Sequence, residues 1–96
     1  MEYDDYKNDL AKEIAKIDNE VSVEKFFNCL LSEGEVHDIT VRWAILNDIM
    51  KNVPQRKIAE KYKTSLAKVN KYSRHLKDKS SFLTKMLKNR YDESSL

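Results

Sequence analysis

The stretch RKIAEKYKTSLAKVNKYSRHLK, Arg56 to Lys77, gathers cationic, amide and hydroxyl side chains at helical spacing. Counted from Lys51, nine Lys or Arg residues stand there beside one acid, Glu60. Such side chains bind polyanions, because Lys and Arg neutralise phosphates while Asn, Arg and Lys hydrogen-bond base edges. Bond-making chemistry is poorly served. His37 and Asp38 are adjacent and so leave a helix at different angles, and no nucleophile or Gly-rich phosphate loop accompanies them. Cys29 is the only cysteine, and with His37 and His75 scattered it makes neither an intrachain disulfide nor a metal-ligand set. No enzymatic activity, metal or cofactor is expected. His75 reads as a surface or DNA-side histidine.

The net charge of +2 conceals a segregation. Residues 1–40 carry eleven acids and four bases, net −7, whereas residues 41–96 carry fourteen bases and five acids, net +9. This asymmetry favours a polyanion partner, although a solvated charged face is the bland reading of the same residues. The start, MEYDDYKND, is acidic and lacks an apolar signal-type run, and no segment reaches membrane-spanning length. A cytoplasmic protein is expected.

With one Gly and one Pro in 96 residues and 41% apolar content, the chain predicts a single small all-α domain over 1–96 of about six short helices. Tyr6, Leu10, Ile14 and Ile17 define an amphipathic helix over Glu2 to Asn19. Ser22 is the expected N-cap of a second helix, whose apolar face is Val23, Phe26, Phe27, Leu30 and Leu31. Ser32 with Glu35 has the capping-box spacing and announces a third helix ending near Lys51. That helix is apolar on two sides, with Val36, Ile39, Trp43, Leu46 and Met50 on one and Val41, Ile45 and Ile49 on the other. A helix hydrophobic over most of its circumference must be covered over most of it. A homodimer sharing this helix in its core is therefore expected, with a dense monomeric bundle as the alternative and Trp43 as a core residue.

Residues 54–77 have the helix-turn-helix pattern. Pro54 suits the first turn of a helix that points Ile58, Ala59 and Tyr62 inward. Lys63-Thr64-Ser65 forms the turn, and Ser65 caps a second helix with Leu66, Val69, Ser73 and Leu76 on its inner face. The first turn position favours φ > 0, so Lys63 stands there at a cost of roughly 1 kcal/mol. Ser65, Ala67, Lys68, Asn70, Lys71 and Arg74 face outward and are expected at a major groove, with Gln55 and Arg56 at phosphates.

Leu30 to Lys77, with its Arg-bearing amphipathic helix, Q-R-x-I-A run, turn and S-x-x-L-K ending, resembles the core of the tryptophan repressor family. The resemblance implies an intertwined all-helical homodimer that binds double-stranded DNA. It also implies an effector pocket, which transfers incompletely. Arg42 matches an Arg that stacks on the indole, and Ser32 stands near a Thr that meets the ligand. The facing Arg is Lys71 here, a Gly is replaced by Tyr72, and a Ser that receives the amino group is replaced by His75. Lys71 lacks a planar stacking surface, and Tyr72 adds a phenol ring where the indole needs space. Tryptophan binding is not expected, nor is any other small-molecule effector. Tyr72 itself fills the indole's place against Arg42, or else is simply an inward residue of its helix.

The expected function is sequence-specific DNA binding by a dimeric transcriptional regulator, most simply a repressor. A protein-interaction module, or a replication-control or antitoxin-type protein built on the same scaffold, is the alternative.

Overall fold

The computed structural model describes residues 1–94, and among them six α-helices and no strand are found. They are α1 (Tyr3–Ala15), α2 (Glu20–Leu30), α3 (Glu33–Met50), α4 (Gln55–Lys61), α5 (Leu66–His75) and α6 (Phe82–Ser94). These fall into two compact units, Met1–His37 and a second one beginning at Asp38.

In the first unit, α1 stops four residues before the predicted end. The Lys16 and Ile17 amides bond back three residues, to Glu13 and Ile14, which tightens and closes the last turn. Asn19 then takes the role predicted for Ser22: its side-chain oxygen accepts from the Ser22 amide at 2.8 Å, so α2 begins three residues early. The Ser32–Glu35 box forms as expected. Ser32 Oγ accepts from the Glu35 amide at 3.2 Å, and Glu35 Oε1 accepts from the Ser32 amide at 2.9 Å.

Hydrogen bonds to the carboxyl from the Ser32 backbone amide, the larger cause, and from the Ser32 side chain hold Glu35 below its usual range. A depressed carboxylate contributes stability above its unfolded value and loses it as pH falls through the lower folded value. The first turn of α3 is therefore expected to fray in acid. Amide exchange at Ser32 should accelerate on acidification beyond the intrinsic change, and Glu35→Gln should remove that extra pH dependence.

Neither α1 nor α2 contains a buried residue. The apolar stripe of α1 is present in sequence but open in this chain, with Tyr6 59% and Leu10 39% exposed. Helix propensity alone does not hold segments of this length in water, so their apolar faces need a cover.

The second unit has a real core. Ile45, Ile58 and Val69 form one buried cluster, edged by Val41, Ile49, Val53, Ala59, Tyr62 and Tyr72. Leu46, Leu76 and Leu87 form another, edged by Ile49, Met50, Tyr72, Leu83 and Tyr91. The neighbours Ile45 and Leu46 thus serve different clusters, which is how the two apolar sides of α3 are used. Ile39 and Trp43, earlier on the helix, stay 37% and 38% exposed, so Trp43 is not a core residue within this chain. The Arg90 guanidinium lies 5.7 Å from its ring centroid.

Between the two apolar sides the structure also buries Asn47 and Asp48, which no apolar pattern marks. Asn47 donates to the Trp43 carbonyl at 2.8 Å and accepts from the Tyr91 hydroxyl. Four consecutive buried residues, Ile45 to Asp48, span the whole circumference of a helix. This part of α3 is the axis about which α4, α5 and α6 are hung.

Candidate nucleic-acid interface

Pro54 closes the loop after α3 and caps α4, standing one position before the helix rather than in its first turn. Its carbonyl accepts from the amides of Lys57 and Ile58 at 3.0 and 3.1 Å. Ile58 points into the core with no exposed surface. The far end of α4 is tied to α3 by polar contacts. Asp48 Oδ2 accepts from the Tyr62 hydroxyl at 2.8 Å and from Lys61 Nζ at 3.3 Å. Hydrogen bonding first with Tyr62 and then with Asp48 raises the Lys61 ammonium above its ordinary value. Asp48 is a buried carboxylate with both donors supplied by α4, so it sets where that helix sits.

The turn is made as its sequence requires. Lys63 has φ 53°, and the Thr64 and Lys63 amides return to the carbonyls of Ala59 and Glu60 at 2.9 and 3.3 Å. This is a Schellman closure with a lysine in the left-handed position. Asn52 ends α3 in the same way, with φ 62°. Lys63→Gly relieves the strain of a side chain at positive φ, offset in part by the freer unfolded chain. A net stability gain of roughly 0.5 kcal/mol is expected, read as a higher urea midpoint at unchanged slope.

Ser65 caps α5 by accepting from the Lys68 amide at 3.1 Å. Val69 is fully buried, Leu76 nearly so and Ser73 partly. Leu66 departs from its predicted inner position: it is 43% exposed and turned outward. Standing at the first position of α5, it lies outside the cluster in which Val69 packs with Ile45 and Ile58.

The residues predicted for DNA divide into two groups. Gln55, Arg56, Ala67 and Asn70, with Pro54 and Leu66, line one open groove of about 500 Å³ between the start of α4 and α5. Ser65, Lys68, Lys71 and Arg74 are exposed but do not line it. Leu66, Ala67, Asn70, Lys71 and Arg74 recur at spacings that put them on one side of α5. The side carries three cations and one amide beside two aliphatic side chains, if Lys68 at its border is included.

Of the five residues considered for an effector pocket, two are joined. Arg42 Nε donates to the Tyr72 hydroxyl at 3.1 Å. Tyr72 is half-buried and packs against both core clusters, so α5 is held to α3 by its ring and its hydroxyl together. The contact with Arg42 is a hydrogen bond at the hydroxyl, where the sequence suggested packing along the ring. His75 is exposed, with Nε2 3.2 Å from Ser81 Oγ, and Lys71 is exposed. The Ser32 hydroxyl is engaged in capping α3.

Among the described residues no group of His, Cys, Asp and Glu is placed to hold a metal ion, and no helix is long and apolar enough to cross a membrane. Sequence reasoning missed Leu66 and Asp48. The signal for Leu66 was its place directly after the capping Ser65. Asp48 had no local signal, since its partners lie 13 and 14 residues away.

Comparison with known families gives one match: the family model described as Trp repressor protein aligns with residues 7–91. No curated protein and no solved structure matches the chain.

Proposed function

The chain belongs to the Trp repressor family of DNA-binding, non-enzymatic transcriptional regulators, and from that premise we propose that it is a cytoplasmic, dimeric repressor that sets α5 into the major groove without tryptophan as corepressor. One DNA-binding domain over residues 1–96 carries this role. The observation that supports it most is the groove between α4 and α5, lined by Gln55, Arg56, Ala67 and Asn70, on a helix that also exposes Lys68, Lys71 and Arg74. Asn70 and the small side chains face base edges there, while Gln55, Arg56 and the exposed cations of α5 reach phosphates.

The dimer is supported by surface that this chain leaves open. No residue of α1 or α2 is buried, and Ile39 and Trp43 remain exposed on α3. A second copy sharing these faces supplies the missing cover, and its dyad gives paired recognition helices. The absence of a corepressor is supported by Tyr72. Its ring occupies the side of α5 toward α3, and Arg42, which the resemblance assigns to the ligand, is committed to the Tyr72 hydroxyl.

Selection of bound duplexes from a random pool, followed by a salt titration, tests the reading. Half-sites should repeat one DNA turn apart, roughly 34 Å. Neutralising about six phosphates gives a slope of log affinity against log salt of about −5. A monomer in sedimentation at micromolar concentration, together with no salt-sensitive duplex binding, would overturn it. Binding of a protein partner in the absence of any DNA affinity would instead favour an interaction module.

A further inference from the structure

An aliphatic side chain on the open side of a cationic helix needs a reason. Leu66 is 43% exposed at the first position of α5, while Val69, one turn on, has no exposed surface. Leu66 therefore adds little to the core and lines the groove with Ala67 and Asn70. Resting on the DNA reading above, we infer that these three side chains read A·T base pairs in each half-site: Leu66 and Ala67 cover a thymine methyl group, and Asn70 forms a bidentate pair with an adenine.

The argument is one of matching chemistry. The major-groove edge of thymine is the one that offers a methyl group, and an outward Leu beside a small Ala presents an apolar surface of that size. An amide carries one donor and one acceptor side by side. Adenine offers N7 as acceptor and the N6 amino group as donor, whereas guanine offers two acceptors and suits Arg or Lys. Of the cations that suit guanine, Lys68, Lys71 and Arg74 lie outside the groove lining, and the one within it, Arg56, is the residue expected at a phosphate. Leu66 and Asn70 are four residues apart, just over one helical turn with about 6 Å of rise, so their bases lie within roughly two base-pair steps.

Base analogues in the selected duplex test this directly. Deoxyuridine in place of the contacted thymine removes one methyl group, and the wild-type protein should lose about fourfold in affinity. Replacing the adenine by 7-deazaadenine removes the N7 acceptor and leaves the Asn70 donor unpaired, with an expected loss of at least about fivefold. Leu66→Ala should bind more weakly and become indifferent to deoxyuridine, and Asn70→Ala should become indifferent to 7-deazaadenine. Both side chains are exposed, so melting curves of the two variants should match the parent. Selected half-sites with G·C at these positions, or variants that respond to the analogues as the parent does, would overturn the assignment while leaving DNA binding intact. Failure to bind any duplex would overturn the DNA reading itself.

Discussion

The double variant Lys71→Ala/Arg74→Ala is expected to lose DNA affinity on the order of 10³-fold at 0.15 M salt, with its melting temperature within a degree or two of the parent. Both side chains are exposed on α5, and none of the core contacts depends on them. A dimer that loses two phosphate contacts per protomer loses about 0.9 unit of log-log salt slope for each. Four such contacts remove about 3.6 units of slope, which between 1 M and 0.15 M salt corresponds to roughly three decades in affinity. The loss should therefore shrink toward nothing as salt approaches 1 M. Val69→Ala is the counterpart. Val69 has no exposed surface and sits where α5 meets Ile45 and Ile58, so truncation should cost about 1–3 kcal/mol of stability. Thermal melts beside binding isotherms separate the two. Parent-like DNA affinity in the double variant would mean that α5 does not face the duplex.

The second large effect is expected at Tyr72. Truncation to Ala removes a ring that edges both core clusters, and a loss of about 3–5 kcal/mol follows from the burial and cavity terms. Tyr72→Phe keeps the ring and deletes only the hydroxyl that accepts from Arg42, which should cost about 1 kcal/mol. DNA affinity should fall in both, more in Tyr72→Ala, because α5 then loses the contact that fixes its tilt on α3. Added L-tryptophan should leave the melting temperature and DNA affinity of the parent unchanged. A ligand that binds the native state stabilises it by mass action, so a clear rise in melting temperature with tryptophan would refute the proposal that Tyr72 replaces a corepressor.

Family membership and Tyr72 together change what regulation of such a protein requires. If α5 is held by an internal side chain, occupancy of the operator follows protein concentration and salt, with no effector setting the active fraction. The Asp48 carboxylate serves the other helix of the motif in a similar way, fixing α4 through Tyr62 and Lys61. The two helices of the motif are thus each anchored to α3 by one of its polar side chains, Arg42 or Asp48, beside apolar packing.

Much of this was written in the sequence because it depends on bonds spanning three to five residues. The Ser32–Glu35 box, the Ser65 cap and the positive φ at Lys63 each follow from residues close along the chain, as does the apolar pattern that sends Ile45 and Leu46 to different core clusters. Ser22 was misread because two capping residues compete in Asn19-Glu20-Val21-Ser22, and the earlier side chain captures the Ser22 amide. What only the tertiary structure decided is the pairing of groups far apart in sequence. Asp48 meets Tyr62 across 14 residues, Arg42 meets Tyr72 across 30, and Asn47 meets Tyr91 across 44. Asn47 and Asp48 look solvent-facing by periodicity, and become core only because other parts of the chain bring donors to the same points. Leu66 is the converse case: its apolar character marks it for the interior, yet at the first position of α5 it stands outside both core clusters and lines the open groove.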